Sequence, residues 1–463
     1  MKRIIYSLVT VIFFTGIFCN ISPEKPVSDD SPLPSFDIND LKSRTFNYFW
    51  ELADPVSGLI PDRAPTESFS SIAAVGYGLS AYIIGVHNNY ITREEAKDQV
   101  HKLLSFLWRL QQGPEKHYIG GYKGFFYHFL DMKTGHRFKA VELSTIDTGL
   151  LMAGILSCQS YFDGDDNTET TIRTLCDSLY RRVEWDWFLN ANNLLSMGWH
   201  PESGFLSSQW QGYNEAMILY ILALGSPTHP APEECWEKWT KTYVWADHYG
   251  YKHVNFGPLF GHHYSHMYID FRGIQDDYMV NKEIDYFENS RRATYSNRAY
   301  CISNPHGFKD FSDEIWGLTA CDGPGNYIKT VGGNKIHFMG YAARGTAANY
   351  EVGDGTLAPT AAGGSMPFAP EICLPALKAI YDAYGEKIYG KYGFKDAFNP
   401  TFTFGEGNEE GWFDVDYIGI DQGAILLMIE NYHTGLIWDI MKKNPYIVTG
   451  LKKAGFSGGW LTN

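Results

Sequence analysis

Two kinds of apolar pattern alternate along this chain, and that alternation constrains its fold more than any other feature. The segments SSIAAVGYGLSAYIIG (70–85), STIDTGLLMAGILS (144–157) and NEAMILYILALG (214–225) are apolar nearly all round and rich in small residues. TREEAKDQVHKLLSFLWRLQ (92–111) and APEECWEKWTKTYVWADHYG (231–250) each carry one polar face. A helix apolar all round must be enclosed by others, whereas a one-faced helix lies outside. Alternating the two predicts an all-α fold with an inner and an outer ring of helices, an (α/α) toroid. Helical periodicity predicts helices over 37–53, 69–87, 92–112, 142–161, 168–189, 213–224, 231–247, 262–270, 282–301, 370–388 and 421–441. Thr92 and Glu95 form a capping-box pattern, and Pro370 suits a first helical turn. FLSSQW, NKIHFMG and FTFGEG are short strand signals, read as hairpins in the connections. The Gly- and Pro-rich stretch 302–368 reads as a long ordered loop of the kind that carries function.

A formal charge of −15 over 463 residues excludes a general nucleic-acid binder and a basic membrane-surface protein. A mean hydropathy of −0.26 with 44% hydrophobic residues fits a globular chain with a sizeable core. Lys2 and Arg3 precede the apolar run Ile4–Phe18, the pattern of a signal peptide over 1–18. Cys19 at its end suggests a lipid-anchored mature N-terminus, although Phe18 is bulky for the position before cleavage. Residues 19–36, rich in Pro, Ser and Asp, read as a tether, and 37–463 as one domain. The remaining six cysteines are widely spaced without a C-x-x-C pair, so they read as single buried thiols.

The chemistry-bearing signal is acids beside apolar helices. Glu215 opens one such helix, where it can be a first-turn acid stabilised by the helix dipole or a general acid kept protonated by apolar surroundings. Glu142 and Asp147 straddle the start of another; five residues apart, they do not share a face. Asp414, Asp416 and Asp421 crowd the approach to the last long helix, where Asp421 could also cap it. Glu430 is out of phase with Asp421 and packs elsewhere. Glycoside hydrolysis requires one carboxyl group as acid and one as base or nucleophile, and carboxylates at one end of a toroid would meet that need. Aromatic residues make up 16% of the chain. Trp199, Trp210, Tyr213, Trp316 and Trp412 are either sugar platforms or core. His262, His266 and Asp270 share an i, i+4, i+8 face, but a metal is not expected there, nor calcium at Asp163–Asn167, which lacks the required Gly and Glu. No metal or other cofactor is expected.

The blocks SSIAAVGYGLSAY, ELSTIDTGLL, GYNEAMILYILALGSPTHP, WGLTACDGP and GIDQGAILLMIENYHTGLIW resemble the signature blocks of the bacterial glucoamylase-like proteins of glycoside hydrolase family 144. They span nearly all of the mature chain. The resemblance implies an exported (α/α)6 barrel, often a lipoprotein, in the periplasm or at the cell surface. It further implies inverting hydrolysis of β-1,2-glucan, by endo action or by exo release of sophorose. On this resemblance Glu215 is the general acid and a late Asp the base, Asp416 or Asp421, with Asp421 taken. Glu142, Asp147, Asp416, Trp210, Tyr213, Trp316, Asp322 and Trp412 make up the substrate-binding set. His433 departs from the pattern, where Arg is expected. The partner implied is an oligo- or polysaccharide. No nucleic acid is expected, membrane contact only through the lipid, and the protein as a monomer. The alternatives are another toroid enzyme (an α-glucosidase or a polysaccharide lyase) and a non-catalytic glycan-binding surface protein.

Overall fold

The computed structural model describes residues 34–462, of which 36 onward form one compact unit. The export signal, Cys19 and most of the tether lie outside the described residues. The helices in chain order are α1 (Ile38–Glu51), α2 (Ile72–His87), α3 (Arg93–Arg109), α4 (Thr145–Tyr161), α5 (Asn167–Arg181), α6 (Met217–Gly225), α7 (Glu234–Thr240) and α8 (Phe260–His263). They continue with α9 (Asp277–Val280), α10 (Tyr286–Ser303), α11 (Pro359–Gly364), α12 (Pro370–Ile388), α13 (Gly419–His433), α14 (Leu436–Met441) and α15 (Pro445–Lys453).

The inside–outside expectation holds. All nine residues of α6 and all six of α11 are buried, and α2, α4 and α13 are buried except near their ends. By contrast, α3 buries only the stripe Ala96, Lys97, Val100, Leu103, Leu104 and Leu107. The enclosed elements follow one another by contact: α6 packs on α4, α4 on α2, α2 on α13, and α13 on α11. The segment around α8 closes the sequence. Ser265 Oγ donates to Glu215 O at 3.0 Å and accepts from Ile218 N at 2.9 Å, while His263 Nε2 meets Ser365 Oγ at 2.8 Å. Outside them, α1 packs on α13, α5 on α4, α15 on α6, and α12 on α11.

Small residues set how closely the enclosed helices approach. A Cβ on Gly154 would stand 2.1 Å from Gly76 O, and one on Gly76 would stand 2.4 Å from Leu150 O. The α6–α15 crossing repeats the device: a Cβ on Gly225 would meet Tyr446 O at 2.2 Å, and one on Gly450 would meet Ile221 O at 2.1 Å. These backbones touch, so the small residues noted in the sequence are spacing devices.

The expected helix over 231–247 ends at Thr240. There the chain turns into a hairpin pairing Trp245–His248 with Tyr251–Val254. The helix expected over 262–270 is the single turn α8, followed by turns. The long segment 302–368 is less irregular than expected: it holds hairpins over 327–338 and 345–352 and ends in α11. NKIHFMG supplies a strand, FLSSQW contributes only its first residue to one, and FTFGEG forms none. Thr92 and Glu95 make the capping box, Pro370 starts α12, and all six described cysteines are free and buried. Among the described residues no helix is long and apolar enough to cross a membrane.

Gly154→Ala would gain helix propensity but force α2 and α4 apart. Such overpacking costs about 1–3 kcal/mol. Thermal unfolding should show a lower midpoint for Gly154→Ala, whereas Ala at Gly204, which has nothing within 4 Å, should cost only the strain of its φ of +82°.

Candidate active site

The N-terminal ends of the enclosed helices face one pocket of about 180 Å³. Ala73 of α2, Ile146 and Asp147 of α4, Glu215 just before α6, Phe260 of α8 and Ile420 of α13 all line it. The sixth, α11, joins next to it, where Thr360 Oγ1 donates to Asp421 O at 3.3 Å. Helix N-termini carry partial positive charge, so this end of the ring suits carboxylates.

Glu215 is not a cap. It precedes α6 by two residues, and no side chain caps that helix. Glu215 is buried, and its Oε2 has no hydrogen-bond partner in the protein. Burial, with Asp147 nearby, pushes its pKa up to about 7, against the pull of its own backbone N–H. The carboxyl group therefore keeps its proton well above the ordinary carboxylate range.

Glu142 and Asp147 converge on His128, a residue that sequence reasoning missed. His128 Nδ1 stands 2.8 Å from Glu142 Oε1, and Nε2 stands 3.6 Å from Asp147 Oδ1. Burial alone would lower the imidazole. Asp147, Glu142 and Asp62 outweigh it and raise the pKa to about 9, so His128 is a cation in the pocket wall. Asp147 also takes part in the cap of α4, its N–H donating to Ser144 Oγ at 3.3 Å.

Asp421 belongs to an acid cluster larger than the sequence suggested. Burial raises its pKa to about 7, opposed by hydrogen bonds from Asp396 and Thr360. Asp396 is shifted up more strongly, first by burial and then by the charges of Asp421 and Asp414. Asp396 Oδ1 and Asp421 Oδ2 accept from no donor in the protein, and the two groups act on each other, so one proton between them would relieve both. Arg63 is the cation of the cluster, reaching Asp322 Oδ2 at 2.6 Å, Asp62 Oδ2 at 3.2 Å and Asp416 Oδ2 at 3.7 Å. Asp416 Oδ1 also accepts from Thr66 N at 2.9 Å. Among the described residues Asp322, Asp396 and Asp414 bring carboxylate oxygens within 4.8 Å of one another, the one grouping that could hold a metal ion. The two halves of the site meet at tyrosines: the hydroxyls of Tyr77 and Tyr264 feel both Glu215 and Asp421. His128, Asp62 and Asp396 stand in loops, and Arg63 in a two-residue strand paired with Tyr417–Ile418, all without helical periodicity. The only sequence signal for them was a charged residue in an otherwise apolar or aromatic stretch.

Burial takes three of the four expected aromatic platforms, Trp210, Tyr213 and Trp316, out of reach of a sugar. Trp316 is 0% exposed in the second core cluster, and Tyr213 is enclosed between Tyr243, Tyr286 and His262. Trp210 is buried with its Nε1 donating to Thr145 Oγ1 at 2.8 Å, which ties its loop to the start of α4. Trp412 is half-buried on Cys321, Ala358 and Ala397. Of the expected site residues only Glu215 and Asp147 line the pocket itself; Asp421, Glu142, Asp322, Asp416 and the four aromatics do not. His262 and His266 share Ser290, whereas Asp270 turns away to Arg272 and Lys442. Glu430 pairs with buried Lys42 at 3.0 Å near the other end of α13. The electrostatic neighbours of His433 are Lys42 and Glu430, twelve residues and about 18 Å along the helix from Asp421. The His-for-Arg departure is therefore remote from the pocket.

Fold and site together define a helix-rich, toroid-type protein with an acid-lined pocket at the N-terminal end of its enclosed helices. The chain belongs to the Glycoamylase family, whose model matches residues 207–445. It is 32% identical to an endo-β-1,2-glucanase from Chitinophaga pinensis, crystallised with sophorotriose and glucose. That match has a TM-score of 0.78 and covers 92% of this chain and 98% of that one. It is 29% identical to an exo β-1,2-glucooligosaccharide sophorohydrolase of Parabacteroides distasonis over 89% of this chain, and spans 57% of that relative's length. An endo-β-1,2-glucanase from Talaromyces funiculosus, at 12% identity and a TM-score of 0.63, shares the fold.

Glu215 binds its proton more tightly in the folded than in the unfolded chain, about 7 against 4.5. Its contribution to stability is full below about pH 4.5 and is lost as pH rises through about 7. At pH 8 the buried carboxylate then costs on the order of 3 kcal/mol. Glu215→Gln should raise the melting midpoint by a few degrees at pH 8, with the gain vanishing toward pH 4.5. A scan of melting midpoint against pH checks this.

Proposed function

We propose that this chain is an exported, inverting glycoside hydrolase on an (α/α)6 barrel, cleaving β-1,2-glucan by endo action or by exo release of sophorose. The observation that carries the chemistry is the Glu215 carboxyl group, buried in the pocket, unpartnered at Oε2 and protonated near neutral pH. It donates to the leaving glycosidic oxygen. Asp421, ionised beside a protonated Asp396, accepts a proton from the water that attacks the opposite face of the sugar, directly or through a substrate hydroxyl. Glu142, Asp147, Asp322 and Asp416 hold sugar hydroxyls as acceptors. The six-fold reading is supported by the six enclosed segments whose N-termini meet at the pocket. The substrate is supported by the β-1,2-glucan-active relatives. A lyase acting on uronates fits poorly, because the Asp cluster would repel an acidic sugar.

Glu215→Gln keeps the shape but removes the proton, so hydrolysis of linear β-1,2-glucan should fall by about 10²–10⁴-fold with the fold intact. Retained turnover would return Glu215 to a structural role. Proton NMR of the first product should show the α-anomer, which then mutarotates; a β-anomer first would overturn inversion and the part given to Asp421. Sizing of the products by chromatography separates endo from exo action.

Export and a lipid on Cys19 are part of the same proposal, supported by the basic, then apolar N-terminus. Mass spectrometry of membrane-derived protein should find a diacylglyceryl Cys19. A soluble product cut elsewhere would exclude the anchor.

A further inference from the structure

Tyr341 is the exposed large aromatic of the pocket. Tyr341 is 57% exposed and lines the same cavity as Glu215 and Asp147, so exposed aromatic surface borders the site. The pocket's other large rings are less exposed: Tyr264 is 6% exposed and Phe260 half-buried. The hydroxyl of Tyr341 lies within the electrostatic reach of Asp421 and Asp396. Enclosure of the hydroxyl end, as distinct from the exposed remainder of the residue, and those acids hold it protonated, leaving it a donor and acceptor beside the candidate base. A flat apolar ring with a polar tip is the surface that a pyranose meets well.

The ring sits on a loop anchored by one buried guanidinium. Arg344, buried completely, pairs with Asp354 through Nε and Nη2, both at 2.8 Å. The same guanidinium donates to Cys321 O at 2.8 Å and Asp322 O at 3.2 Å through Nη1. Through Nη2 it donates to Met339 O at 3.0 Å and Gly340 O at 3.1 Å. One planar group thereby ties the residue preceding Tyr341 to the backbone of Asp322. Asp322 N in turn donates to Asp396 Oδ2 at 2.7 Å, next to Asp421. Gly323 is needed for this approach, since a Cβ there would stand 2.2 Å from Arg344 Nη2. A buried ion pair this costly to desolvate is well suited to fixing geometry.

We propose that Tyr341 is a substrate-contacting wall of the cleft, stacking on a glucosyl ring next to the scissile bond, and that the Arg344–Asp354 pair is the positioning device that fixes Tyr341 relative to Asp322 and the Asp396–Asp421 pair. This rests on the glycoside-hydrolase reading of the site. The contact is made to the bound sugar before and during reaction alike, so its loss raises KM more than it lowers kcat.

The experiment measures kcat and KM separately for wild type, Tyr341→Ala, Tyr341→Phe and Tyr341→Trp on linear β-glucans of several linkages, with circular dichroism as a fold check. On whichever glucan the wild type cleaves, Tyr341→Ala should raise KM about tenfold with a smaller change in kcat. Tyr341→Phe and Tyr341→Trp should recover most of the loss. Tyr341 is exposed, so its truncation should not unfold the chain. An unchanged KM in Tyr341→Ala with an active wild type overturns the inference alone. A wild type that cleaves no glucan overturns the reading of the site and the inference with it. Arg344→Lys keeps a charge but loses the fork, and Asp354→Asn serves if it does not fold. Either should raise KM in the wild-type background and add little in Tyr341→Ala. Additive effects would overturn the positioning role.

Discussion

Carboxyl groups clustered away from water set the electrostatic terms that the surrounding helices and loops meet. Glu215, Asp396, Asp414 and Asp421 are all shifted upward with burial as the largest cause. So many buried acids are destabilising unless positive potential surrounds them. The fold meets this in three ways: the enclosed helices turn their N-termini to the pocket, Arg63 bridges Asp62, Asp322 and Asp416, and His128 carries charge between Glu142 and Asp147. What remains uncompensated is carried by protons on Glu215 and on the Asp396–Asp421 pair. The site chemistry is thus a residue of the electrostatics of packing.

That arrangement depends on backbones meeting at glycine. Gly76 against Gly154 and Gly225 against Gly450 let helices touch where any side chain would separate them. The close approach draws Asp147 on α4 and Glu215 before α6 onto one rim. Some large aromatics, such as Tyr77 of α2 against Gly423 of α13, pack between the enclosed helices, and others go to the outer layer and to the loops. Trp316 and Tyr213, attractive as sugar platforms, are consumed by that second layer of packing. The accessible ring of the pocket comes instead from the loop clamped by Arg344.

The alternation of enclosed and one-faced helices was legible because burial on all sides and burial on one side demand different residue periodicities. Helices α2, α3, α4 and α12 fell close to the expected spans. Misreadings arose where the pattern was short or interrupted: 231–247 splits into a helix and a strand, and α11, six residues within a Gly-rich stretch, carries too few turns for a period to show. Glu215, Asp421, Glu142 and Asp147 stood out as acids abutting apolar helices. Asp396, Asp62, Arg63 and His128 did not, because a charged residue in a loop or a two-residue strand looks the same whether it faces solvent or a buried partner.

The layering of the helices, their small-residue contacts and the acids at the helix starts follow from local periodicity and side-chain size, and so were already present in the amino-acid order. Which carboxyl group is deprived of water and partners, which two acids act on each other, and which exposed aromatic borders the pocket were set by folding. Those properties belong to the environment each group meets. That environment is assembled from segments as far apart in the chain as Arg63 and Asp416, which no local pattern relates.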